Sequence, residues 1–205
     1  MRLLKDAYFT TVALNHLAID VLNSQKAILL VFLAPSLGLR NADIGLVALI
    51  YSFFGSLTQP LFGLLADRFK MRWLSGGSLL WMAGWFAVAV SLPGRWPIPA
   101  LIIGALGSAA FHSAGTERAT TRGETLMPGR AATAASLFFL FGQAGLSFGP
   151  ALGGVLLQEL GARGVLVLSA VAVPVAINSL LRLYWTARFA RPESDSPTPA
   201  IADAP

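Results

Sequence analysis

The stretch GLSFGPALGG, Gly145 to Gly154, places four glycines and a proline inside an apolar run long enough to be a helix. In a soluble helix each glycine costs about 1 kcal/mol and a proline about 3 kcal/mol, so propensity does not hold this segment together. The rest of the chain says what does. Of 205 residues, 55% are hydrophobic and 12% are charged, against about 25% charged in an ordinary soluble domain. Mean hydropathy is +0.66. The charges fall in clumps between apolar runs of roughly 20 residues or more, the length a helix needs to cross a bilayer core. This excludes a soluble α domain and predicts a membrane protein. Lipid gives helices no hydrophobic drive to associate, so close approach through small residues becomes the main adhesive. Gly145, Gly149 and Gly153 recur every fourth residue and share one face. With Gly154 and Pro150 they form the expected packing motif. Pro150 is expected to bend the helix, and neighbouring helices to satisfy the carbonyl it frees.

Six such runs are present, approximately Tyr8–Leu33, Ile44–Ala66, Trp73–Leu92, Ile98–Thr121, Ala131–Leu157 and Val165–Tyr184. Residues 1–187 therefore read as a six-helix transmembrane unit. Residues 188–205, rich in proline and small residues, read as a disordered tail. Near the helix ends, eleven basic residues on one side (Arg2, Lys5, Arg68, Lys70, Arg72, Arg118, Arg122, Arg130, Arg182, Arg188, Arg191) oppose Arg40, Arg95 and Arg163. The positive-inside rule then puts both termini in the cytoplasm, in the inner (plasma) membrane. The net charge of +5 suits an anionic inner leaflet, and no nucleic-acid partner is called for. Cysteine is absent, which excludes disulfide and thiolate chemistry. Trp73, Trp96 and Trp185 fall near helix ends as interface anchors.

The motif has an echo. GSLTQPLFG, Gly55 to Gly63, and GLSFGPALG, Gly145 to Gly153, both read Gly, four residues, Pro, two residues, Gly, at an offset of 90. Gly55, Pro60 and Gly63 are thus the first-half counterparts of the packing motif. NHLAID in the first run and FHSAGTE in the fourth set His112 at 96 residues after His16, each with an acidic residue shortly beyond. Helices one to three read as a degenerate copy of helices four to six. Units of odd helix number insert with opposite orientation, giving a 3+3 inverted repeat of the kind found in secondary transporters.

These residues resemble the N-terminal six-helix half of a major facilitator superfamily transporter. In GLLADRFKMR, Gly63, Asp67, Arg68 and Arg72 match the superfamily's signature between helices two and three, and Lys70 and Met71 depart from it. Gly145, Gly149, Pro150, Gly153 and Gly154 match the antiporter-associated signature of helix five. His16 with Asp20, and FHSAG in helix four, are similar to the fosmidomycin-resistance-like efflux group, whose pattern usually has proline where Ser113 stands. Many drug–proton antiporters carry an arginine within helix four, and LIIGALGSAAF has none, which moves attention to the histidines and Asp20. The resemblance implies an all-α membrane fold and a proton-coupled transporter, with the bilayer, protons and a small-molecule substrate as partners. Export of a hydrophobic or amphiphilic compound rests on the helix-five signature. The alternatives are a proton-linked importer of a small organic anion, which Lys26 favours, and a non-transporting membrane subunit.

His16, Asp20 and Asn23 are spaced i, i+4, i+7 on one arc of the first helix. Asp20 lies near the midplane and His16 about 6 Å toward the cytoplasm, at a depth close to that of His112 on the antiparallel fourth helix. Ionisable groups at that depth face a partner or a water-filled cavity. They read either as a structural pair tying helices one and four or as a proton-binding set. In the second reading Asp20 is the carrier and His16 and His112 titrate or relay. Lys26 would neutralise Asp20, contact an anionic substrate or snorkel outward. Gln59 and Gln143 are candidate cavity-lining residues, and Asn178 a candidate interhelical hydrogen bond. Asp67, Arg68, Arg72, Glu117 and Arg118 are candidate gating residues at the cytoplasmic face, where an aspartate can hold an arginine or a helix N-terminus.

No metalloprotease, nucleophile-elbow, phosphate-loop or dinucleotide pattern occurs, so no enzyme and no cofactor is expected. Two histidines and one carboxylate make a poor set for a dedicated metal site, and none is expected. Six helices alone are expected to leave His16, Asp20 and His112 facing lipid, at a cost of several kcal/mol. A second six-helix half, as a homodimer or as a separately encoded C-terminal half, is expected to cover them.

Overall fold

The structure, a computed structural model, describes residues 2–69, 71 and 73–189, with side chains described as far as Leu183. The described residues form eight helices: α1 (Arg2–Lys5), α2 (Ala7–Leu37), α3 (Asn41–Leu57), α4 (Gln59–Phe69), α5 (Leu74–Ser91), α6 (Pro97–Leu126), α7 (Ala131–Leu160) and α8 (Arg163–Phe189). They make six candidate membrane spans, because α3 and α4 together form one span, Asn41–Phe69. Several spans outrun the apolar runs that predict them. α6 continues through TERATTRGETL to Leu126, and at 30 residues it reaches about 45 Å, beyond the hydrocarbon core. The tail beyond Phe189 lies outside the described residues.

The second run, read from sequence as one helix, is interrupted at Thr58. Pro60 has no N–H to give the carbonyl of Ser56, and the turn loosens there. The Thr58 N–H still reaches Phe54 O, at 3.4 Å, and its hydroxyl donates to the same carbonyl at 2.6 Å. Pro150 leaves α7 unbroken. The bond that a neighbour brings to this turn, Gln25 Nε2 to O of Gly149 at 2.8 Å, lands on the proline's preceding carbonyl and not on that of Leu146, which Pro150 leaves without its helical donor.

α2 sits centrally, packing most extensively against α7 and also against α6, α8, α5 and α3. α6 in turn packs against α3 and α4 as well as α5. The first helix of each repeat therefore crosses the second helix of the other, as an inverted repeat requires. The close crossings are made at small residues. A Cβ on Gly145 would stand 2.5 Å from O of Leu17, and one on Gly149 would meet O and Cα of Val21 at 3.0 and 3.1 Å. Gly153 lies directly against the Gln25 amide, and Gly107 of α6 lies against O of Ser78 on α5, 2.6 Å from where its Cβ would be. The counterpart motif is looser. Gly55 approaches only Ala105, at 3.9 Å, and neither Gly63 nor Gly154 has a neighbour within 4 Å. These two glycines make no helix crossing among the described residues.

Buried amides bind the helices further. Asn15 Nδ2 donates to O of Ser75 on α5, at 2.8 Å, and to the Ser179 hydroxyl on α8, at 3.3 Å. Ser179 thus makes the interhelical contact expected of Asn178, whose Oδ1 accepts from Arg182 one turn along its own exposed face. Trp73 and Trp96 are both exposed, as interface anchors are; the Trp185 side chain lies outside the described ones.

The glycine contacts give a direct test. Gly149→Leu forces a side chain into Val21, and overpacking of this kind costs about 1–3 kcal/mol. Gly84→Leu enters open space, since nothing lies within 4 Å of its Cβ position, and its effect stays within about 0.5 kcal/mol. Thermal unfolding in detergent should show a clear drop for the first and little for the second. Equal melting temperatures would remove the close α2–α7 contact.

Candidate functional site

The middle of α2 presents Asp20 to two histidines. His16 Nε2 stands 3.1 Å from Asp20 Oδ2, His112 Nε2 of α6 stands 3.6 Å from Oδ1, and the two Nε2 atoms are 3.3 Å apart. The far nitrogen of each ring is anchored to a backbone carbonyl: His16 Nδ1 to O of Phe138 on α7 at 2.8 Å, His112 Nδ1 to O of Ser108 at 2.7 Å. A carbonyl only accepts, so each Nδ1 carries the hydrogen. Each Nε2 then turns toward the carboxylate. The Phe138 ring stacks on His16 with centroids 4.0 Å apart, and the His112 ring meets His16 edge-on at 84°. Both imidazole planes are therefore fixed by packing as well as by hydrogen bonds.

The expectation that six helices alone leave this cluster facing lipid is corrected. Side-chain exposure is 2% for His16 and 4% for Asp20, and 21% for His112. The reason is Gly142, one turn before Gly145 on α7. A Cβ there would fall on the His16 ring and 2.8 Å from Asp20 Oδ2, so its absence lets α7 close over the pair. Sequence reading passed over Gly142, although it extends the face of Gly145, Gly149 and Gly153 by three residues. It also passed over Gln25 and Asn15, both fully buried.

Asn23 extends the cluster. Its Nδ2 points to Asp20 Oδ1 at 3.4 Å, and its Oδ1 accepts from the Tyr51 hydroxyl of α3 at 2.9 Å. Half-buried Lys26 holds its Nζ over the Tyr51 ring, 4.8 Å from the centroid. Among the described residues it makes no ion pair with Asp20. Gln59 is half-buried and its carbonyl accepts from the Ser113 hydroxyl at 2.7 Å. Ser113, the departure from the resembling pattern, thus ties α6 to the start of α4. Gln143 is exposed and lies outside the cluster.

The candidate gating residues are scattered by comparison. Asp67, Arg68 and Glu117 are exposed, and Arg118 donates to O of Met71 at 3.1 Å. Arg72 lies outside the described residues. The ion pair found at this end is one the sequence reading did not assign. Asp6 accepts from Arg122 Nε at 3.0 Å and from Nη2 at 2.5 Å, while its Oδ1 also caps α2 through the Phe9 N–H at 2.9 Å. It clips the start of α2 to the last turns of α6.

The Arg122 guanidinium beside Asp6 holds its carboxyl below the ordinary value of 3.8. A carboxylate depressed in the folded state stabilises above its unfolded pKa, and that contribution is lost as pH falls through the folded value. With Arg122 34% exposed, the pair is worth about 1 kcal/mol or less. Asp6→Asn should therefore lower the melting temperature slightly near neutral pH, and the gap from wild type should close as pH falls below 3.8 and through the lowered folded value. Asp6→Ala, which also removes the cap, should cost about 0.5–2 kcal/mol more. A gap for Asp6→Asn that stays constant with pH would contradict this pairing.

Comparison with known proteins agrees with this architecture. A family model for the Major Facilitator Superfamily matches residues 9–203. The Fosmidomycin resistance protein of Escherichia coli (strain K12) is 29% identical over 184 residues, covering 84% of this chain and 42% of that protein. The chain thus spans less than half the length of this curated relative. No solved structure matches the chain. A multi-pass bundle of six apolar spans with this match is a transporter-type protein and not an enzyme: the chain belongs to the Major Facilitator Superfamily.

Proposed function

We propose that the chain is a six-helix half of a proton-coupled secondary transporter that exports a small hydrophobic or amphiphilic compound across the inner membrane, with both termini cytoplasmic. The observation that carries this reading is the buried Asp20 carboxylate facing two imidazoles at the junction of α2, α6 and α7. A buried carboxylate–imidazole set within a membrane span costs stability and is kept for use. Asp20 carries the proton, and His16 and His112 pass it on, with Asn23 and Tyr51 continuing the hydrogen-bonded chain toward α3. Proton and substrate occupy the site in turn, each biasing the rocking of one bundle against another. The relative's name, a resistance protein, supports export over import. Half-buried Lys26 favours a second reading, import of a small organic anion, which it would contact directly.

A second six-helix half belongs to this proposal. α3, α4 and α7 leave a broad apolar surface open, with Phe53, Leu61, Leu64, Leu140, Phe148 and Leu152 exposed. A second copy, or a separately encoded half, pairs there about an axis normal to the membrane. Gln59 and Gln143 then line the space between halves, and Asp67, Arg68, Arg72, Glu117 and Arg118 gate its cytoplasmic end.

The test is transport in proteoliposomes under an imposed pH gradient, screened over hydrophobic, amphiphilic and anionic compounds and beginning with fosmidomycin. Asp20→Asn should keep its melting temperature within a few degrees of wild type and abolish gradient-driven movement. Undiminished gradient-driven transport in this variant would take Asp20 out of the mechanism.

A further inference from the structure

His16, Asp20 and His112 offer ligand atoms that all lie within 4.8 Å of one another. From sequence, two histidines and a carboxylate looked too few for a metal. Their geometry changes that assessment. We infer that His16 Nε2, His112 Nε2 and an Asp20 carboxylate oxygen form a binding site for a divalent transition-metal cation of the Zn2+ class, with one coordination position open.

Three observations carry it. The first is spacing. A tetrahedral ion with bonds of about 2.0–2.1 Å holds its ligand atoms about 3.3–3.4 Å apart. His16 Nε2 lies 3.1 Å from Asp20 Oδ2, His112 Nε2 lies 3.6 Å from Oδ1, and the two nitrogens are 3.3 Å apart. One ligand atom from each residue lies within 4.8 Å of the others, so an ion fits once the carboxylate rotates to turn one oxygen toward both nitrogens. The second is tautomer. Metal-bound histidines donate their other ring N–H to a carbonyl or carboxylate, which fixes the ring and raises its basicity. Both histidines do so here, through O of Phe138 and O of Ser108. The third is the crowding of lone pairs. With both Nδ1 atoms hydrogenated, two Nε2 lone pairs and the Asp20 carboxylate face one another in a largely buried cluster, and a cation relieves their repulsion. A proton does this for one pair of atoms at a time, whereas a metal ion engages all three.

Donor chemistry sets the class. Imidazole nitrogen with a single carboxylate suits Zn2+, Co2+ or Ni2+, whereas Mg2+ and Ca2+ require oxygen shells. The partial exposure of His112, at 21%, marks the side from which an ion and its fourth ligand enter. One carboxylate leaves a bound divalent ion with net positive charge, which favours an anionic group in the open position.

The experiment uses the full chain, purified in detergent and stripped of metal. CoCl2 titration should produce the visible absorption of low-coordinate Co2+, which ZnCl2 bleaches and MgCl2 leaves intact. His16→Asn and His112→Asn should each weaken Co2+ binding at least tenfold, and Asp43→Asn, at a half-buried residue in the first turn of α3 and distant in sequence from all three, should leave it unchanged. Should the histidine variants unfold, X-ray absorption of the Zn2+-loaded wild-type chain decides, because it reads two imidazole nitrogens at about 2.0–2.1 Å. Absence of the Co2+ band in wild type, a band that survives in the double histidine variant, or an oxygen-only shell would each overturn the inference. No pH gradient or transport enters these readouts, so their failure leaves proton coupling standing, and failure of coupling leaves the metal site standing.

Discussion

The contact between α2 and α7 is the constraint on which the rest depends. A carboxylate in the middle of a membrane span is tolerable only if protein, not lipid, surrounds it. Here the protection comes from a helix face with no side chains. Gly142 lies against His16 and Asp20, Gly145 against the backbone of Leu17, Gly149 against Val21 and Gly153 against Gln25. The same four residues that are poor helix formers in water allow backbones to approach as lipid-embedded helices require. Packing and chemistry are therefore one feature: the surface that holds the bundle together also closes the site.

The inverted repeat is preserved in pattern and broken in use. Gly145, Gly149 and Gly153 pack tightly on α2, whereas their counterparts Gly55 and Gly63 meet one alanine and open space. The prolines differ likewise. Pro60 separates α3 from α4, while Pro150 lies inside an uninterrupted α7 that receives an amide bond from Gln25. The polar residues follow this asymmetry, since His16 and Asp20 face α7 and no carboxylate of α6 enters the cluster from the opposite repeat. One repeat supplies the closely packed cradle and the other a looser span.

The spans were legible in the sequence because lipid makes charge so costly that charges retreat to helix ends. The shared depth of His16 and His112, and the arc that His16 shares with Asp20, were legible too, from the rise per residue and the 3.6-residue period. The azimuth of one helix about another was not. It decides that Gly142 touches the cluster, that Gln25 and Asn15 are buried amides bridging helices, that Ser179 and not Asn178 points inward, and that Asp6 meets Arg122 across 116 residues of chain. It also decides that a single bundle buries Asp20. Sequence period places a residue on its own helix, and only the neighbour's small residues say how closely that helix is approached.

In the proposed mechanism Asp20 couples substrate movement to the proton gradient. The most direct measurement is substrate movement in proteoliposomes holding a pH gradient, followed before and after a protonophore collapses it. The account predicts that accumulation against the substrate's own gradient stops when the proton gradient is lost and resumes when it is restored. Accumulation that continues unchanged with the protonophore present would contradict it.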